Sequence, residues 1–359
     1  MMLYHLADRE TTNPNHPNRR PFALQFARLS PYTVMEMLNL NDAQTDRFHY
    51  AYDLAKALMR ELGIFPAKDA TPQDRERQER ILLRLDEQER GYPRLTLSLF
   101  LDVVGACKAK VVKSSFTPYN AVLRGPDAEA ALGRHLNVKE MPGSASSWGK
   151  LYSLLWRLRR LRVFYGPGVR VDPLRYADLL RPGQVSVIDL SDAGLTELSN
   201  IAVADVLRGI QEAQEGAYRA YEAKKAPAPP RVLLVIEEAH EFLSTERIEQ
   251  TQHLFGQIAR LAKRGRKRWM SLAFVTQLPQ HLPRQIFGLL NNYVLHKITD
   301  SEVVKTLRHT VSGIDESLWS RLPGLAPGQA IVSFGHMTRP LLVSVDPAPC
   351  KLRMADSTL

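Results

Sequence analysis

The chain has 359 residues, a length that suits one large domain or two medium-sized ones. Its 24% charged and 44% hydrophobic residues are ordinary for a soluble globular protein, and no run of about 18 apolar residues predicts a membrane span. A formal net charge of +10 favours a polyanionic partner, with nucleic acid first. Two cysteines, Cys107 and Cys350, exclude a disulfide framework. Because the polar amino terminus also lacks the apolar core of a signal peptide, we expect a cytoplasmic protein.

The first half of the chain is predicted to be mainly helical. Residues 1–21 are polar and rich in Asn and Pro, which predicts a loop, and residues 22–29 suit a strand. Apolar residues then recur at a spacing of about 3.6, and prolines separate the segments. The predicted helices are residues 34–40, 52–62, 74–90, 95–107 and 148–161.

From Val163 onward the pattern changes to alternating strands and helices. The predicted helices are residues 202–223, 246–264 and 302–309. The predicted strands are residues 184–189, 232–236, 270–276, 293–298, 330–334 and 341–345, of which the last two form a hairpin. Strands and helices that alternate at this spacing indicate βαβ units and a parallel sheet.

Two adjacent carboxylates follow the most strongly apolar strand. Residues 232–236 (VLLVI) run directly into Glu237 and Glu238. Ligand sites in open α/β sheets lie beyond the carboxyl ends of such strands, and paired acids there are costly to desolvate without a cation or a reacting group. The pattern favours a Walker B motif, in which one acid holds Mg²⁺ through water and the next polarises the attacking water. The alternative is a solvated strand end that opens a helix, whose dipole favours acids.

A second strand also ends in polar residues. The apolar run from Met270 leads into Thr276 and Gln277, which we expect at the same edge of the sheet as the two glutamates. A neutral amide at that edge can sense a γ-phosphate or orient an attacking water. A polar strand cap is the simpler interpretation of this strand alone, but its pairing with the glutamates favours the functional one.

A basic cluster lies between these two strands. It places six cations within nine residues: Arg260, Lys263, Arg264, Arg266, Lys267 and Arg268. Cations at the carboxyl end of a helix interact favourably with its dipole, so part of the cluster is explained as a cap before Gly265. The remaining cations favour at least one arginine that reaches phosphate, either across a subunit interface or on DNA.

In their order along the chain, these segments resemble the C-terminal half of the HerA/FtsK superfamily of hexameric DNA translocases, and HerA-like proteins most closely. The matching segments are PGQVSVIDLS, VLLVIEEAHEF, GRKRWMSLAFVTQLPQHLP, NNYVLHKITD and LAPGQAIVSF. The resemblance implies an α/β fold: a RecA-like, P-loop NTPase-type, mainly parallel sheet with a largely α-helical insertion. It divides the chain into an N-terminal loop and strand (1–30), the helical insertion (31–162) and the RecA-like ATPase core (163–359).

The resemblance also assigns roles by position. Glu237 falls on the Walker B metal-binding position, where the family often has Asp, and Glu238 falls on the catalytic glutamate. Gln277 matches the sensor glutamine, and Thr276 lies beside it in the implied nucleotide site. The implied ligands are ATP and Mg²⁺, with the ion held near Glu237 through water.

Arginines of the basic cluster match a further family feature. Arg266 is our first choice for the arginine finger, and Arg264 is the second. Arg264, Lys267 and Arg268 are also candidate contacts to DNA. The implied function is ATP-driven translocation on double-stranded DNA by a homo-oligomeric, hexameric ring, used in end processing or phage defence, with a nuclease or other effector as partner and no membrane.

One motif of the family is absent from this sequence. A P-loop requires GxxxxGK[ST], whose backbone amides and lysine hold the phosphates. The nearest approach, GSASSWGKL from Gly143, has five residues between its glycines and a leucine where a hydroxyl should bind Mg²⁺. We therefore predict that it is not a P-loop, that the chain starts after the family's P-loop, and that binding of ATP by this chain alone is weak. Loss of that strand is also expected to leave unpaired sheet edges.

Two other interpretations follow from the missing motif. The chain is either a non-catalytic assembly or DNA-docking subunit, or half of a split ATPase that another polypeptide completes. A relation to conjugative coupling proteins is disfavoured because no membrane anchor is found in the sequence.

Further candidate residues have two interpretations each. His240 either packs or hydrogen-bonds, or binds a metal, and Asp189 either touches the site or closes a turn at the end of its strand. The basic segment RLRRLR (157–162) either contacts DNA or forms the solvated face of a helix.

Overall fold

The computed structural model consists of two compact units. The first comprises Met1–Val232 and Gln250–Ile258, and the second comprises Leu233–Glu249 and Ala259–Leu359. The structure describes residues 1–85, 90–136, 141–142, 145–164, 171–192, 194 and 196–347, without the side chains of Arg84 and Gln250. The division predicted from the sequence, at residues 30 and 162, stays a prediction.

A three-stranded parallel sheet lies in the first unit. Its strands are β1 (Met2–Leu6), β2 (Arg19–Phe22) and β3 (Ser186–Asp189), and β1 lies in the middle. Leu3 of β1 is opposite both Arg19 of β2 and Val187 of β3. The sheet is consistent with the α/β class and confirms the strand predicted at residues 184–189.

The loop predicted over residues 1–21 is wrong, because β1 and most of β2 lie there. As the central strand, β1 is buried from Leu3 to Leu6 although it contains a histidine. The imidazole Nδ1 of His5 lies 3.1 Å from the carbonyl oxygen of Leu6 and 3.0 Å from that of Arg9. A buried polar residue that finds its partners locally interrupts the apolar pattern from which strands are predicted.

The strand predicted over residues 22–29 is also wrong. Phe22 ends β2, Leu24 forms an isolated bridge, and Phe26–Arg28 form a 3-10 helix. Phe22, Leu24 and Phe26 are all buried. Periodicity alone does not distinguish a short buried strand from a short buried helix, so this run was assigned to the wrong element.

The helices of the first unit confirm most of the helical predictions. They are α1 (Pro31–Met37), α2 (Asp42–Glu61), α3 (Pro72–Leu85), α4 (Leu97–Val112), α5 (Pro126–His135), α6 (Ala145–Arg160), α7 (Tyr176–Leu179) and α8 (Thr196–Glu222). A further 3-10 helix spans Ala121–Leu123. The predicted start of α2 at residue 52 is late, because Asn41 and Gln44 form a capping box before the apolar pattern begins. Helix α5 was not predicted.

Helix α4 lies at the centre of this helical part. Its sequence is mainly apolar, as is typical of a buried helix, and most of its residues are buried. Phe100 packs edge-on against Phe48 of α2, with ring centroids 4.9 Å apart. Burial of each phenylalanine stabilises the fold by about 1.5–3 kcal/mol. Burial also raises the pKa of the Cys107 thiol to about 12, which makes it unreactive at neutral pH. Cys350 lies outside the described residues.

Helix α8 packs against a tyrosine of α7 that has little freedom to move. The hydroxyl of Tyr176 donates a hydrogen bond to the buried carboxylate of Asp205, and the guanidinium of Arg28 lies 4.2 Å from the centre of the ring. Burial raises the pKa of Asp205. Gly209 of α8 lies so close to the same ring that a β-carbon there would overlap it.

Substitution of this glycine tests the packing. Gly209→Ala should lower the free energy of unfolding by about 1–3 kcal/mol, because the methyl group must displace a ring that polar contacts hold. The matched control is Gly216→Ala on the same helix, where an added β-carbon has open space; it should raise stability by up to about 1 kcal/mol through helix propensity. Urea denaturation measures both variants, and equal shifts in the two would contradict the close fit at Gly209.

Two small sheets lie in the second unit. Strand β4 (Val232–Ile236), which enters this unit at Leu233, pairs with β5 (Met270–Phe274). Strands β6 (Tyr293–Leu295), β7 (Gln329–Ser333) and β8 (Leu341–Ser344) form an antiparallel sheet in that order. The predicted strands and the closing hairpin are confirmed.

The helices along this part of the chain, of which α11 begins in the first unit, are short apart from two. They are α9 (His240–Leu243), α10 (Thr245–Gln250), α11 (Gln252–Arg264), α12 (Arg284–Phe287), α13 (Ser301–Thr310) and α14 (Glu316–Trp319), with 3-10 helices at Gly265–Arg268, Pro279–His281 and Leu322–Gly324. The single helix predicted over residues 246–264 is wrong, because the chain breaks at Thr251. The carbonyl of Thr251 accepts the amide of Phe255, as an N-cap residue does, and threonine favours that position. Within the described part of the chain, no helix combines the length and the apolar character needed to cross a bilayer.

One face of β4 is apolar and exposed. Leu233 and Val235, which point to the same side of the strand, are 64% and 53% exposed. Strands of parallel α/β sheets are normally covered on both faces. Strand β4 also lies at the edge of its two-stranded sheet, as β3 does in its own sheet.

Candidate functional site

Backbone hydrogen bonds join the residues that follow β4 and β5. The amide of Val275 donates to the carbonyl of Ile236, and the amide of Ala239 donates to the carbonyl of Val275, each at 2.9 Å. This ladder places the segment from Glu237 beside the segment from Thr276. The predicted proximity of the glutamates to Thr276 and Gln277 is therefore found in the second unit, while the roles assigned to these residues stay predictions.

The carboxylate of Glu238 is contacted by the predicted sensor residue. The side-chain amide of Gln277 donates a hydrogen bond of 3.1 Å to Oε1 of Glu238. The Glu238 side chain is 49% exposed, so water reaches it. A carboxylate that is held by an amide and remains open to solvent is suited to orient a water molecule and to accept its proton.

His240 connects the two strand ends. Its Nδ1 lies 3.0 Å from the hydroxyl oxygen of Thr276 and 3.4 Å from Oε2 of Glu238, and its side chain is 13% exposed. The Thr276 hydroxyl also accepts the amide of Leu278 at 3.1 Å. The hydrogen-bonding interpretation of His240 is thus the one the structure favours. Its place two residues after Glu238 was the sequence signal for this contact.

A second histidine near this cluster was missed. The ring of His281 lies edge-on to that of His240, with centroids 6.3 Å apart. His281 ends the 3-10 helix Pro279–His281, four residues after Gln277. Nothing in its local pattern distinguishes it from a surface histidine, because only the turn after β5 brings it near His240.

The backbone of Glu238 adopts an unusual conformation. Its φ angle is 45°, in the left-handed region that favours glycine. The carbonyl of Glu238 accepts the amide of Glu241 at 2.8 Å, which closes the turn before α9. A side chain in this region costs about 1–2 kcal/mol, and residues held in such a conformation concentrate at functional sites.

This strain can be measured by comparing two variants that both remove the carboxylate. Glu238→Gly should be more stable to unfolding than Glu238→Ala by about 1 kcal/mol, because glycine adopts a positive φ without a steric penalty. Chemical denaturation of the two variants gives the difference. If alanine proves as stable as glycine at this position, the left-handed conformation is not the one the protein adopts.

Glu237 lies at the exposed end of β4. Among the described residues, no group of three or more His, Cys, Asp or Glu side chains is arranged to hold a metal ion. One exposed carboxylate nevertheless fits Mg²⁺, which keeps several water ligands and is bound by few carboxylates together with substrate phosphates. The residues present therefore suit an ion held through water at Glu237 and not an all-protein metal site.

The basic cluster lies at the other end of β5. Helix α11 ends at Arg264, the turn Gly265–Arg268 follows, and β5 then separates this turn from Gln277 by about 16 Å of strand. Arg264, Arg266 and Lys267 are exposed. An added β-carbon at Gly265 would lie 2.9 Å from the carbonyl oxygen of Met270, so the turn requires glycine. The structure does not bring these cations together with Glu238 of the same chain.

The nearest approach to a P-loop lies in the first unit. Gly143 and Ser144 are outside the described residues, whereas Gly149 and Lys150 lie inside helix α6. The arginines that follow have partners on the protein: Arg157 pairs with Glu197 at 3.1 Å, and the guanidinium of Arg159 lies 3.8 Å from the ring centre of Tyr119. These contacts favour the solvated-face interpretation of residues 157–162.

Asp189 closes a turn at the end of β3. Its Oδ1 accepts the amide of Ser191 at 3.0 Å and the Ser191 hydroxyl at 2.6 Å, and its Oδ2 accepts the amide of Thr12 at 3.1 Å and the hydroxyl of Thr11. Partial burial by itself raises the pKa of this carboxyl group, but the hydrogen bonds outweigh it and lower the pKa to about 2. The turn interpretation is therefore the one the structure favours.

The lowered pKa predicts a pH dependence of stability. Because the folded-state pKa lies below the ordinary value of 3.8, the contribution of Asp189 is fully present above about pH 4 and is lost as the pH falls toward 2. Wild type should be more stable than Asp189→Asn at pH 6, and this difference should shrink between pH 4 and pH 2. Urea denaturation across this range measures it; a difference that stays constant would show that the carboxylate charge contributes nothing.

No protein-family model matches the chain. Its sequence is similar to curated proteins named DNA double-strand break repair helicase HerA. The protein from Sulfurisphaera tokodaii is 28% identical over 182 residues, which are 51% of this chain and 35% of that protein. The protein from Sulfolobus acidocaldarius is 27% identical over 180 residues, which are 50% of this chain and 35% of that protein. This chain thus spans about a third of the length of these relatives.

Among solved structures, VirB4 of Thermoanaerobacter pseudethanolicus has a similar fold. The TM-score is 0.55 at 14% identity, over 97% of this chain and 82% of that one. This likeness confirms the predicted class, a RecA-like fold of the P-loop NTPase type with a helical insertion. The similarity in sequence bears out the particular resemblance to proteins named HerA, over about half of this chain.

Proposed function

We propose that this chain supplies the carboxylate, sensor and arginine part of an ATP-driven DNA translocase or helicase of HerA type, which acts as a ring on double-stranded DNA. The observation that carries the proposal is the hydrogen bond between Gln277 and Glu238 at the joined ends of β5 and β4. It brings a carboxylate and a neutral amide together at the sheet edge where α/β proteins bind ligands. The similarity to HerA supports the choice of DNA as the substrate on which the ring acts.

The chemistry of this proposal is attack of water on the γ-phosphate of ATP. Glu238 orients the water and accepts its proton, and the hydrogen bond from the Gln277 amide fixes the position of the carboxylate before the reaction. His240 holds Thr276 and Glu238 in place from the buried side. Glu237 would hold Mg²⁺ through water, and that ion supplies charge neutralisation at the phosphates when bound.

The position of the basic cluster supports action between subunits. Since the turn at Arg266 precedes β5 and Gln277 follows it, an arginine finger from this turn has to serve the site of a neighbouring chain. We assign that role to Arg266, with Arg264 as second choice, in a hexameric ring. We assign contacts to DNA phosphates, which do not read sequence, to Arg264, Lys267 and Arg268.

Two alternatives start from the absent P-loop. The 359 residues contain no GxxxxGK[ST], and Gly149 and Lys150 lie within a helix. The chain would then be a non-catalytic assembly or DNA-docking subunit, or half of a split ATPase completed by another polypeptide. A role in end processing or phage defence beside a nuclease or another effector is compatible with each of these forms.

ATP hydrolysis separates the alternatives. The purified chain should hydrolyse ATP negligibly, alone or with double-stranded DNA, because it lacks the phosphate-binding loop. Addition of a polypeptide that carries the P-loop strand should restore turnover in wild type, and Glu238→Gln should reduce that turnover by about 100-fold or more. The matched control is Glu79→Gln, which makes the same change at an exposed carboxylate of α3 in the first unit and should leave turnover unchanged.

Each other outcome has a definite meaning. Robust turnover by the chain alone that Glu238→Gln abolishes would overturn the argument from the missing P-loop. Failure of every P-loop polypeptide to restore turnover, with DNA binding retained, would favour the docking subunit. An in-frame strand followed by GxxxxGK[ST] in the genomic sequence upstream of Met1 would favour the translocase, whereas a stop codon would favour the split or non-catalytic form.

A further inference from the structure

A cavity of about 220 Å³ lies in the first unit, among the start of α1, one face of α2 and the end of α3. None of the residues proposed for the ATPase site belongs to it. Its wall combines aromatic rings with cations. The rings are those of Tyr32 and His49, and the cations are Lys56, Arg60 and Arg90. Leu82 and Leu85 of α3 add an apolar part to the wall.

The spacing of residues along α2 explains how the polar wall forms. His49, Asp53, Lys56 and Arg60 follow one another at intervals of three or four, so they lie on one face of the helix. Side chains at this spacing are neighbours, and Lys56 and Arg60 therefore present two adjacent positive charges to the same space. Arg90, which follows α3 along the chain, adds a third.

Two of these cations pair with acids of the protein. Lys56 pairs with Asp53 at 2.7 Å and Arg90 pairs with Glu212 at 3.3 Å. The Asp53 side chain is 71% exposed, and exposed ion pairs contribute little to stability. A ligand with two negative charges can displace such a partner, and arginine and lysine together suit a phosphate group.

The aromatic side of the cavity is fixed in place. One face of the Tyr32 ring stacks on His253, with centroids 5.3 Å apart and planes 22° apart, and His49 lies edge-on at 5.9 Å. The amide of His253 donates to both carboxylate oxygens of Glu36, at 3.0 and 2.8 Å. Tyr32 nevertheless remains 42% exposed. A rigid ring with exposed surface is a platform on which a base can stack at little entropic cost.

We propose that this cavity binds one phosphorylated nucleotide unit, with the phosphate at Lys56, Arg60 and Arg90 and the base against Tyr32. At about 220 Å³ the cavity is too small for a duplex, and a single nucleotide would fill it while part of the sugar or base stays exposed. The ligand chemistry is shared by a free nucleoside monophosphate and by the phosphorylated end of a single strand. This site goes beyond the proposed ATPase function. Its residues belong to the first unit, whereas Glu238 and Gln277 belong to the second.

Binding of two probes tests the proposal and identifies the source. The probes are dAMP and a 5′-phosphorylated oligo(dA) strand of about eight nucleotides, titrated calorimetrically into the full chain at low salt. Lys56→Glu and Arg60→Glu should each weaken binding at least about tenfold, since they reverse a charge at the phosphate. The matched control is Arg219→Glu, which makes the same charge change. It also removes an exposed ion pair, that of Arg219 with Glu215 on α8. This control should change binding less than about twofold.

The aromatic contact has its own pair of variants. Tyr32→Ala should weaken binding about fivefold or more, whereas Tyr32→Phe keeps the ring and should bind like wild type. Circular dichroism checks the folding of every variant. If a charge-reversed variant fails to fold, the neutral substitution at the same position, Lys56→Gln or Arg60→Gln, takes its place. Glu238→Gln should bind both probes like wild type, which separates this site from the ATPase proposal.

The two probes and the three substitutions give results that either support or overturn the nucleotide site. Binding of both probes that depends on Lys56, Arg60 and Tyr32 supports the site with a free nucleotide as a sufficient ligand, and binding of the strand alone with the same dependence assigns the site to DNA ends. No binding of either probe, or binding that the three substitutions leave unchanged, overturns the proposal.

Discussion

The candidate site depends on the two backbone hydrogen bonds that tie the end of β4 to the end of β5. They run from Val275 to Ile236 and from Ala239 to Val275, and no side chain takes part in them. Because they fix the backbone, Glu238 and Gln277 meet without any long-range charge attraction. The left-handed turn at Glu238 then directs the chain into α9, which brings His240 back to Thr276. A few backbone bonds thus determine where every polar group of the site lies.

Strand β5 also keeps opposite chemical groups apart. The cationic turn at Arg266 lies before the strand and the polar site at Gln277 lies after it. If the arginines lay beside Glu238, they would pair with the carboxylate and occupy the space of the water that it is proposed to orient. Separation by a rigid strand leaves the carboxylate open to water and keeps the cations of the turn at the opposite end of β5. Gly265 keeps the turn tight enough to hold this arrangement.

The sequence predicted the second half of the fold well because its strands are continuous apolar runs with polar ends. Strand β4, strand β5 and the meeting of Glu238 with Gln277 follow from that pattern. Strand β1 was missed because His5 satisfies its hydrogen bonds through local carbonyls, which no apolar pattern reveals. The break at Thr251 and the place of His281 depend on a cap and a turn, and such local geometry is only weakly encoded in residue spacing.

The exposed face of β4 has a consequence for the life of the chain in a cell. Leu233 and Val235 lie on the face of β4 that no other described part of the chain covers. Surface of this kind is what chaperones and proteases recognise on newly made chains that have not finished folding. The abundance of the protein should therefore depend on how soon another surface covers β4 after synthesis. Quality control would then act as a check on assembly, and chains left uncovered would be removed.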